Sequence, residues 1–169
     1  MNSIIYFAYG SNMSTPRIQR RVESAIVLST AHLPEHSLRF HKISADGSAK
    51  CDIAHTGNTD DRVYGVVFEI LHNDKHILDS HEGLGNGYEE KRVSAYLRDG
   101  NVITATTYYA THIDASLQPY HWYKQHVLRG AREHSLPRDH IAAIEAISSI
   151  DDPNAANHAA ELSVYRELD

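Results

Sequence analysis

One stretch constrains the chain more than any other. Ile4-Ile5-Tyr6-Phe7-Ala8-Tyr9 is a β-branched and aromatic run that breaks at Gly10-Ser11-Asn12 and meets Ser14-Thr15-Pro16 almost at once. The apolar run suits a buried strand. Thr15 suits an N-cap, and Pro16 suits the first helical position, where a missing N–H costs nothing. The reading is strand, tight turn and helix start, with backbone N–H groups of the turn facing outward. Such a turn, with its flanking glycine, favours an anionic or carbonyl oxygen. The rest of the chain can be asked whether it supplies chemistry to this turn.

At 169 residues the chain is long enough to bury a proper core, and residues 1–150 read as one domain followed by a polar tail over 151–169. A net charge of −6 argues against binding nucleic acid or an anionic membrane surface. No apolar run is long enough to span a bilayer, and no basic leader with a cleavage site precedes the first strand. Cys51 is the only cysteine, so no internal disulfide can form, and a cytoplasmic protein is expected. The 13 histidines raise a metal reading. However, His81-Glu82-Gly83-Leu84-Gly85 stops short of the H-E-x-x-H pattern, and no cysteine pairs are present, so no metal is expected.

Taken in order, Pro16 to about Arg21 reads as a short helix whose basic end suits its C-terminus. Ala25–Leu28 and Leu38–Ile43 read as strands, Asp46-Gly47-Ser48 as a turn, and Cys51–Ala54 as a weaker strand. Val63–Ile70 is continuously apolar and suits a central strand, with Gly65 marking a bulge or a close backbone approach. Asn73 is placed to cap a helix over Asp74–Glu82, with Ile77, Leu78 and His81 on one face and Gly83 as its stop. The glycine-rich exit Gly83-Leu84-Gly85-Asn86-Gly87 follows a helix instead of opening one and has no Gly-Lys-Ser/Thr, which excludes a phosphate loop. Tyr88–Leu97 and Val102–Tyr109 form a hairpin across Asp99-Gly100-Asn101. A helix follows over Tyr120–Glu133, with Tyr120, Tyr123, Val127 and Ala131 on one face, and Pro137 starts another lined by Ile141, Ile144 and Ile147. The pattern is α+β, a curled or barrel-like sheet with helices outside.

Glu82 stands out on chemistry alone. It ends a helix, where the macrodipole is negative, and Asp79 lies one turn earlier; both effects, and any burial, raise its pKa toward the range of a general acid or base. On position alone, a solvated helix-end glutamate is the commoner case. Ser11 raises a nucleophile elbow, but Tyr9-Gly10-Ser11-Asn12-Met13 lacks the second glycine of G-x-S-x-G. The better use of that turn is to bind an oxyanion or carboxylate through its backbone. Tyr108 and Tyr123 are polar handles on apolar faces.

Tyr6-Phe7-Ala8-Tyr9-Gly10-Ser11-Asn12-Met13, then Leu78-Asp79-Ser80-His81-Glu82-Gly83 and Tyr88, resemble the γ-glutamylcyclotransferase family. So do Tyr123-Lys124, Gly130-Ala131-Arg132-Glu133 and Leu136-Pro137, in the family's order and spacing. The likeness runs from about Ile4 to Ile147. It implies a small mixed β-barrel with flanking helices. It further implies that Tyr9, Gly10, Ser11 and Asn12 bind the γ-glutamyl part of a substrate, that Glu82 is catalytic, and that Tyr108 and Tyr123 line the pocket. Tyr109 takes the place of Tyr108 if the match shifts by one residue.

The implied reaction is intramolecular: the substrate's α-amino group attacks its own γ-carbonyl, giving 5-oxoproline and a free amine or amino acid. It requires no cofactor. Within the family the alternative is a γ-glutamylamine such as γ-glutamyl-ε-lysine. Outside it stand a non-catalytic module binding a small ligand and, least favoured, a serine hydrolase using Ser11. Members of the fold occur as dimers, which leaves a homodimer open; the expected partner is otherwise a small γ-glutamyl molecule, with no nucleic acid and no membrane.

Overall fold

A computed structural model describes residues 2–166. Five strands close a barrel: β1 (Ser3–Ala8), β5 (Arg62–Leu71), β2 (Ile26–Pro34), β6 (Tyr88–Leu97) and β7 (Val102–Ala110), in that order around it. β7 returns parallel to β1 at Tyr6 and Thr106, and the Thr107 hydroxyl donates to the Phe7 carbonyl at 2.8 Å beside that seam. β3 (His36–Ile43) and β4 (Ala49–His55) pair as a separate two-stranded ribbon. The barrel-like sheet expected from the sequence is therefore a barrel plus a ribbon.

The core gathers where both faces of a strand are covered. In β5, Val63 and the run from Gly65 to Phe68 are buried, as befits its continuous apolar sequence. Gly65 is there for close approach: a Cβ would stand 2.3 Å from the Ala8 carbonyl oxygen and 2.7 Å from the Phe7 ring. The bulge lies elsewhere, in β2 between Val27 and Ser29. β2 itself runs to Pro34, six residues past the end expected at Leu28, because Ala31 and Leu33 turn inward between polar neighbours.

The helices are α1 (Thr15–Arg21), α2 (Lys75–Glu82), α3 (His121–Glu133), α4 (Arg138–Glu145) and α5 (Ala155–Leu162). Their starts are shifted from expectation. Ser14, not Thr15, is the N-cap of α1, and Pro137 is the N-cap of α4. His72–Asp74 forms a single tight turn before α2, so Asp74 takes the cap position foreseen for Asn73. Gly83 does stop α2, in the left-handed conformation at φ 75° with its N–H on the Asp79 and Ser80 carbonyls. His81 is exposed, unlike Leu78, because the inward face of α2 is taken by Leu78 and the carboxylates of Asp79 and Glu82.

The segment after Ile150, whose structure the sequence leaves open, forms α5 and packs on the helices. Tyr165 is buried, with its hydroxyl bonded to Ser14 Oγ at 2.9 Å and to His126 Nδ1 at 2.6 Å. Glu161 accepts from Arg17 at 2.7 Å. Polar composition concealed this docking, since the hydrogen bonds of Tyr165 and Glu161 act beside a single apolar contact from Leu162.

Candidate active site

The turn after β1 is held from two sides, each through a glycine. Facing β4, a Cβ on Gly10 would lie 3.0 Å from Cys51 Cβ and 3.5 Å from the Tyr123 hydroxyl. Facing α3, a Cβ on Gly130 would lie 2.6 Å from both Met13 Cβ and the Ser14 nitrogen. Helix and ribbon thus clamp Ser11–Met13 between them. The turn's own bonds begin with Met13 N–H on the Gly10 carbonyl at 3.1 Å, so the Ser11 and Asn12 amides precede them.

Glu82 reaches this turn from the end of α2. Its Oε1 accepts from the Tyr6 hydroxyl at 2.8 Å and from Asn12 Nδ2 at 2.6 Å. Burial pushes the Glu82 carboxyl above its ordinary value, while the Tyr6 hydrogen bond, the charges of Arg21 and Arg17 and the Asn12 amide pull it back. Burial, which the sequence reading names beside the helix end and Asp79, is thus the leading cause. Asp79 has its own partners: its Oδ1 accepts from Lys75 and from the Tyr108 hydroxyl, each at 2.5 Å.

Tyrosines build the walls. Tyr108 is buried and meets Tyr6 edge-on, ring centroids 5.9 Å apart. The Tyr9 hydroxyl donates to the Tyr108 carbonyl at 2.7 Å. On the opposite side, Cys51 is pinned by its N–H donating to the Tyr123 hydroxyl at 2.9 Å and by its carbonyl accepting from Tyr88 at 2.5 Å. Burial raises the phenols of Tyr6, Tyr9, Tyr88 and Tyr123 well above their usual range, which keeps them neutral donors. It also pushes the Cys51 thiol up to about 12, which makes it inert.

Tyr9, Gly10, Ser11, Asn12, Glu82, Tyr108 and Tyr123 line one small cavity of about 20 Å³, joined by Tyr6, Cys51 and Tyr88. Every residue singled out from the sequence is brought together here. Tyr108, not Tyr109, faces it; the Tyr109 ring instead lies 5.4 Å from Lys91 Nζ. A roomier groove between α1, α3 and Tyr165 has one carboxylate, Glu133, which accepts from the Thr15 N–H at 3.2 Å. Among the described residues no hydrogen bond joins Ser11 to a histidine, and no group of three or more potential ligands gathers for a metal ion.

The chain is 32% identical over 156 residues to a γ-glutamylcyclotransferase from Bos taurus, spanning 88% of this chain and 81% of the relative. It belongs to the γ-glutamylcyclotransferase family. A γ-glutamylcyclotransferase from Homo sapiens is also 32% identical over 156 residues, with the same coverage of 88% and 81%. A solved structure of a γ-glutamyl cyclotransferase superposes with a TM-score of 0.83 at 30% identity, covering 90% of this chain and 92% of that one. The AIG2-like family model matches residues 62–144, from the start of β5 into α4.

Within this family fold, the sequence missed Tyr6 and Tyr88 in the cavity lining and Arg21 behind it. Tyr6 had a signal, because the period of two along β1 puts it on the same side as Ala8 and Gly10. Tyr88 had a weaker one, as the first residue after the glycine run. Arg21 had none, since its partner Asn12 is reached only through the packing of α1 on the turn, where Arg21 Nη1 stands 3.2 Å from Asn12 Oδ1. The whole arrangement sets a carboxylate with one oxygen held beside the turn's backbone and a wall of tyrosines.

Proposed function

We propose that this protein cyclises the γ-glutamyl group of a γ-glutamyl amino acid or peptide to 5-oxoproline, releasing the free amino acid or peptide. The observation that carries the reading is the convergence of Tyr6 and Asn12 on Oε1 of a half-buried Glu82 at the strand–turn junction. The nucleophile and the carbonyl belong to one substrate molecule, so no covalent enzyme intermediate is needed. Holding that chain folded removes several kcal/mol of the barrier.

The substrate's α-ammonium must lose a proton before it attacks. Glu82 takes that proton and returns it to the departing nitrogen, with its raised carboxyl better matched to the task than an ordinary glutamate. As the amine closes on the γ-carbon, the carbonyl oxygen gains charge, and the Ser11 and Asn12 amides are its donors. Collapse of the tetrahedral centre breaks the amide bond; the ring nitrogen sheds its second proton, and the released amine takes up one to leave as an ammonium. Ser11 positions the substrate and does not attack it. The buried, unpaired Cys51 fits a reducing cytoplasmic setting.

The test is 5-oxoproline release from γ-glutamyl-L-alanine, with γ-glutamylamines and glutathione alongside to define the leaving group. Glu82→Gln folds and loses about 10²–10⁴-fold in turnover. Near-wild-type release by that variant overturns the assignment.

A further inference from the structure

Arg21 ends α1 half-buried, and its Nη1 donates to a neutral acceptor, Asn12 Oδ1, at 3.2 Å. Its neighbours on the helix act differently: Arg17 pairs with Glu161 at 2.7 Å, and Arg20 reaches Ser163 Oγ at 3.4 Å. Among the described residues no carboxylate lies within ion-pair distance of Arg21. A charge held out of water without a counter-ion is costly, so its place beside an amide calls for a reason.

The reason lies in the donor inventory. A guanidinium has donors only, so the Asn12 atom facing it is the oxygen. The NH₂ then faces the other way, where it donates to Glu82 Oε1 at 2.6 Å and to the Tyr6 hydroxyl oxygen at 3.3 Å. A flipped amide would set NH₂ against the guanidinium and Oδ1 against Oε1. That second contact bonds only when Glu82 carries a proton. The held orientation therefore favours the ionised carboxylate, whose Oε1 is the stronger acceptor.

We propose that Arg21 is a positioning residue: by holding Asn12 Oδ1 it keeps the amide NH₂ on Glu82 Oε1, leaving Oε2 to move the substrate's proton. The role rests on Glu82 being the base of the cyclisation. The cations facing Glu82 are Arg17 and Arg21 from α1 and Lys42 from β3. Of its other titratable neighbours, Tyr6, Tyr9, Cys51, Tyr88, Tyr108 and Tyr123 are raised by burial and stay neutral near pH 7, while His81, next to it on α2, is lowered by burial and by the charges of Arg21 and Arg17. Arg17 is shared with Glu161, and Arg21 alone among the cations connects to Glu82 through a hydrogen-bonded relay.

The experiment compares wild type, Arg21→Met and Arg21→Lys by the pH dependence of kcat/KM for γ-glutamyl-L-alanine, and by carbon-13 titration of the Glu82 carboxyl. Arg21→Met moves the acid limb up by about one pH unit, a loss of about tenfold on that side with the plateau held within about threefold. Arg21→Lys brings the limb back toward wild type. A limb unmoved in Arg21→Met overturns the proposal, even if the rate falls equally at every pH. Should Arg21→Met not fold, Arg21→Gln, polar but too short to reach Asn12, takes its place. In the wild type itself the Asn12 side-chain NH₂ resonances shift as Glu82 titrates; constant resonances also overturn it. Loss of that coupling with 5-oxoproline release intact sinks the role of Arg21 alone. Intact coupling without release sinks the cyclotransferase reading alone.

Discussion

The Tyr6 hydroxyl stands 2.8 Å from Glu82 Oε1, tying the middle of β1 to the last residue of α2 across 76 positions of sequence. The bond joins the first strand of the barrel to the acid proposed to do its chemistry. It gives Glu82 one of its two Oε1 donors, and burial remains the larger influence on its proton.

That balance makes a stability prediction. The folded carboxyl of Glu82 titrates above its ordinary value of 4.5. Between the two values the folded state holds more protons than the unfolded one, so this group's contribution falls as pH rises through the window. Glu82→Gln keeps an acceptor for Tyr6 and removes the charge. Its Tm is expected to exceed that of wild type near neutral pH, with the gap closing at about pH 4, as read by scanning calorimetry. A variant less stable than wild type at neutral pH contradicts this.

The docking of α5 has the opposite sign. Burial acts to raise the Glu161 carboxyl, but its bond to His126 and the charge of Arg17 hold it down to about 2. His126 is itself pushed down to about 4 by burial, so it is neutral near pH 7 and Arg17 is the charged partner. A depressed carboxyl stabilises above its unfolded value of 4.5, and this is lost as pH falls toward 2. Glu161→Gln is expected to cost about 1.5–3 kcal/mol at neutral pH. Urea midpoints should converge with those of wild type as acid is added.

Two glycines of the site region should respond differently to one methyl group. In Gly65→Ala the Cβ meets the Ala8 carbonyl oxygen at 2.3 Å, a backbone atom in the closed barrel that cannot retreat. The expected loss is about 3 kcal/mol or more. In Gly10→Ala the nearest atom is Cys51 Cβ at 3.0 Å, a tighter fit than usual that a small shift relieves. There the expected cost is about 1 kcal/mol, with 5-oxoproline release falling further than stability because the turn moves. Denaturant unfolding and turnover on the same samples separate the two effects.

Much of the site was legible because each part is a local signal. The break at Gly10-Ser11-Asn12 and the stop at Gly83 are short-range backbone events, and residues within a few positions decide them. Helix starts were less legible. Ser14 and Asp74 took cap positions expected at Thr15 and Asn73, since several capping residues stand side by side and only the tight turns before α1 and α2 choose among them. Tyr6 and Tyr9 show the same limit at the level of side chains. Both line the cavity, but Tyr9 donates its hydrogen bond to the Tyr108 carbonyl while Tyr6 donates to Glu82. No periodicity distinguishes those two fates.

By itself, the sequence determined the strand–turn–helix unit at the N-terminus, the central apolar strand, the hairpin and the helix that ends in Glu82, because spacing and turn chemistry act between near neighbours. Only the tertiary structure decided what Glu82 meets. β5 pairs antiparallel with β1 and ends opposite Ser3, so α2, about 12 Å long, runs back toward Gly10 and carries its last residue to the turn. Barrel closure half-buries that carboxylate, brings Tyr6 and Asn12 onto it and sets Arg21 behind Asn12. A raised carboxyl and a held amide are products of long-range packing, which local sequence does not encode.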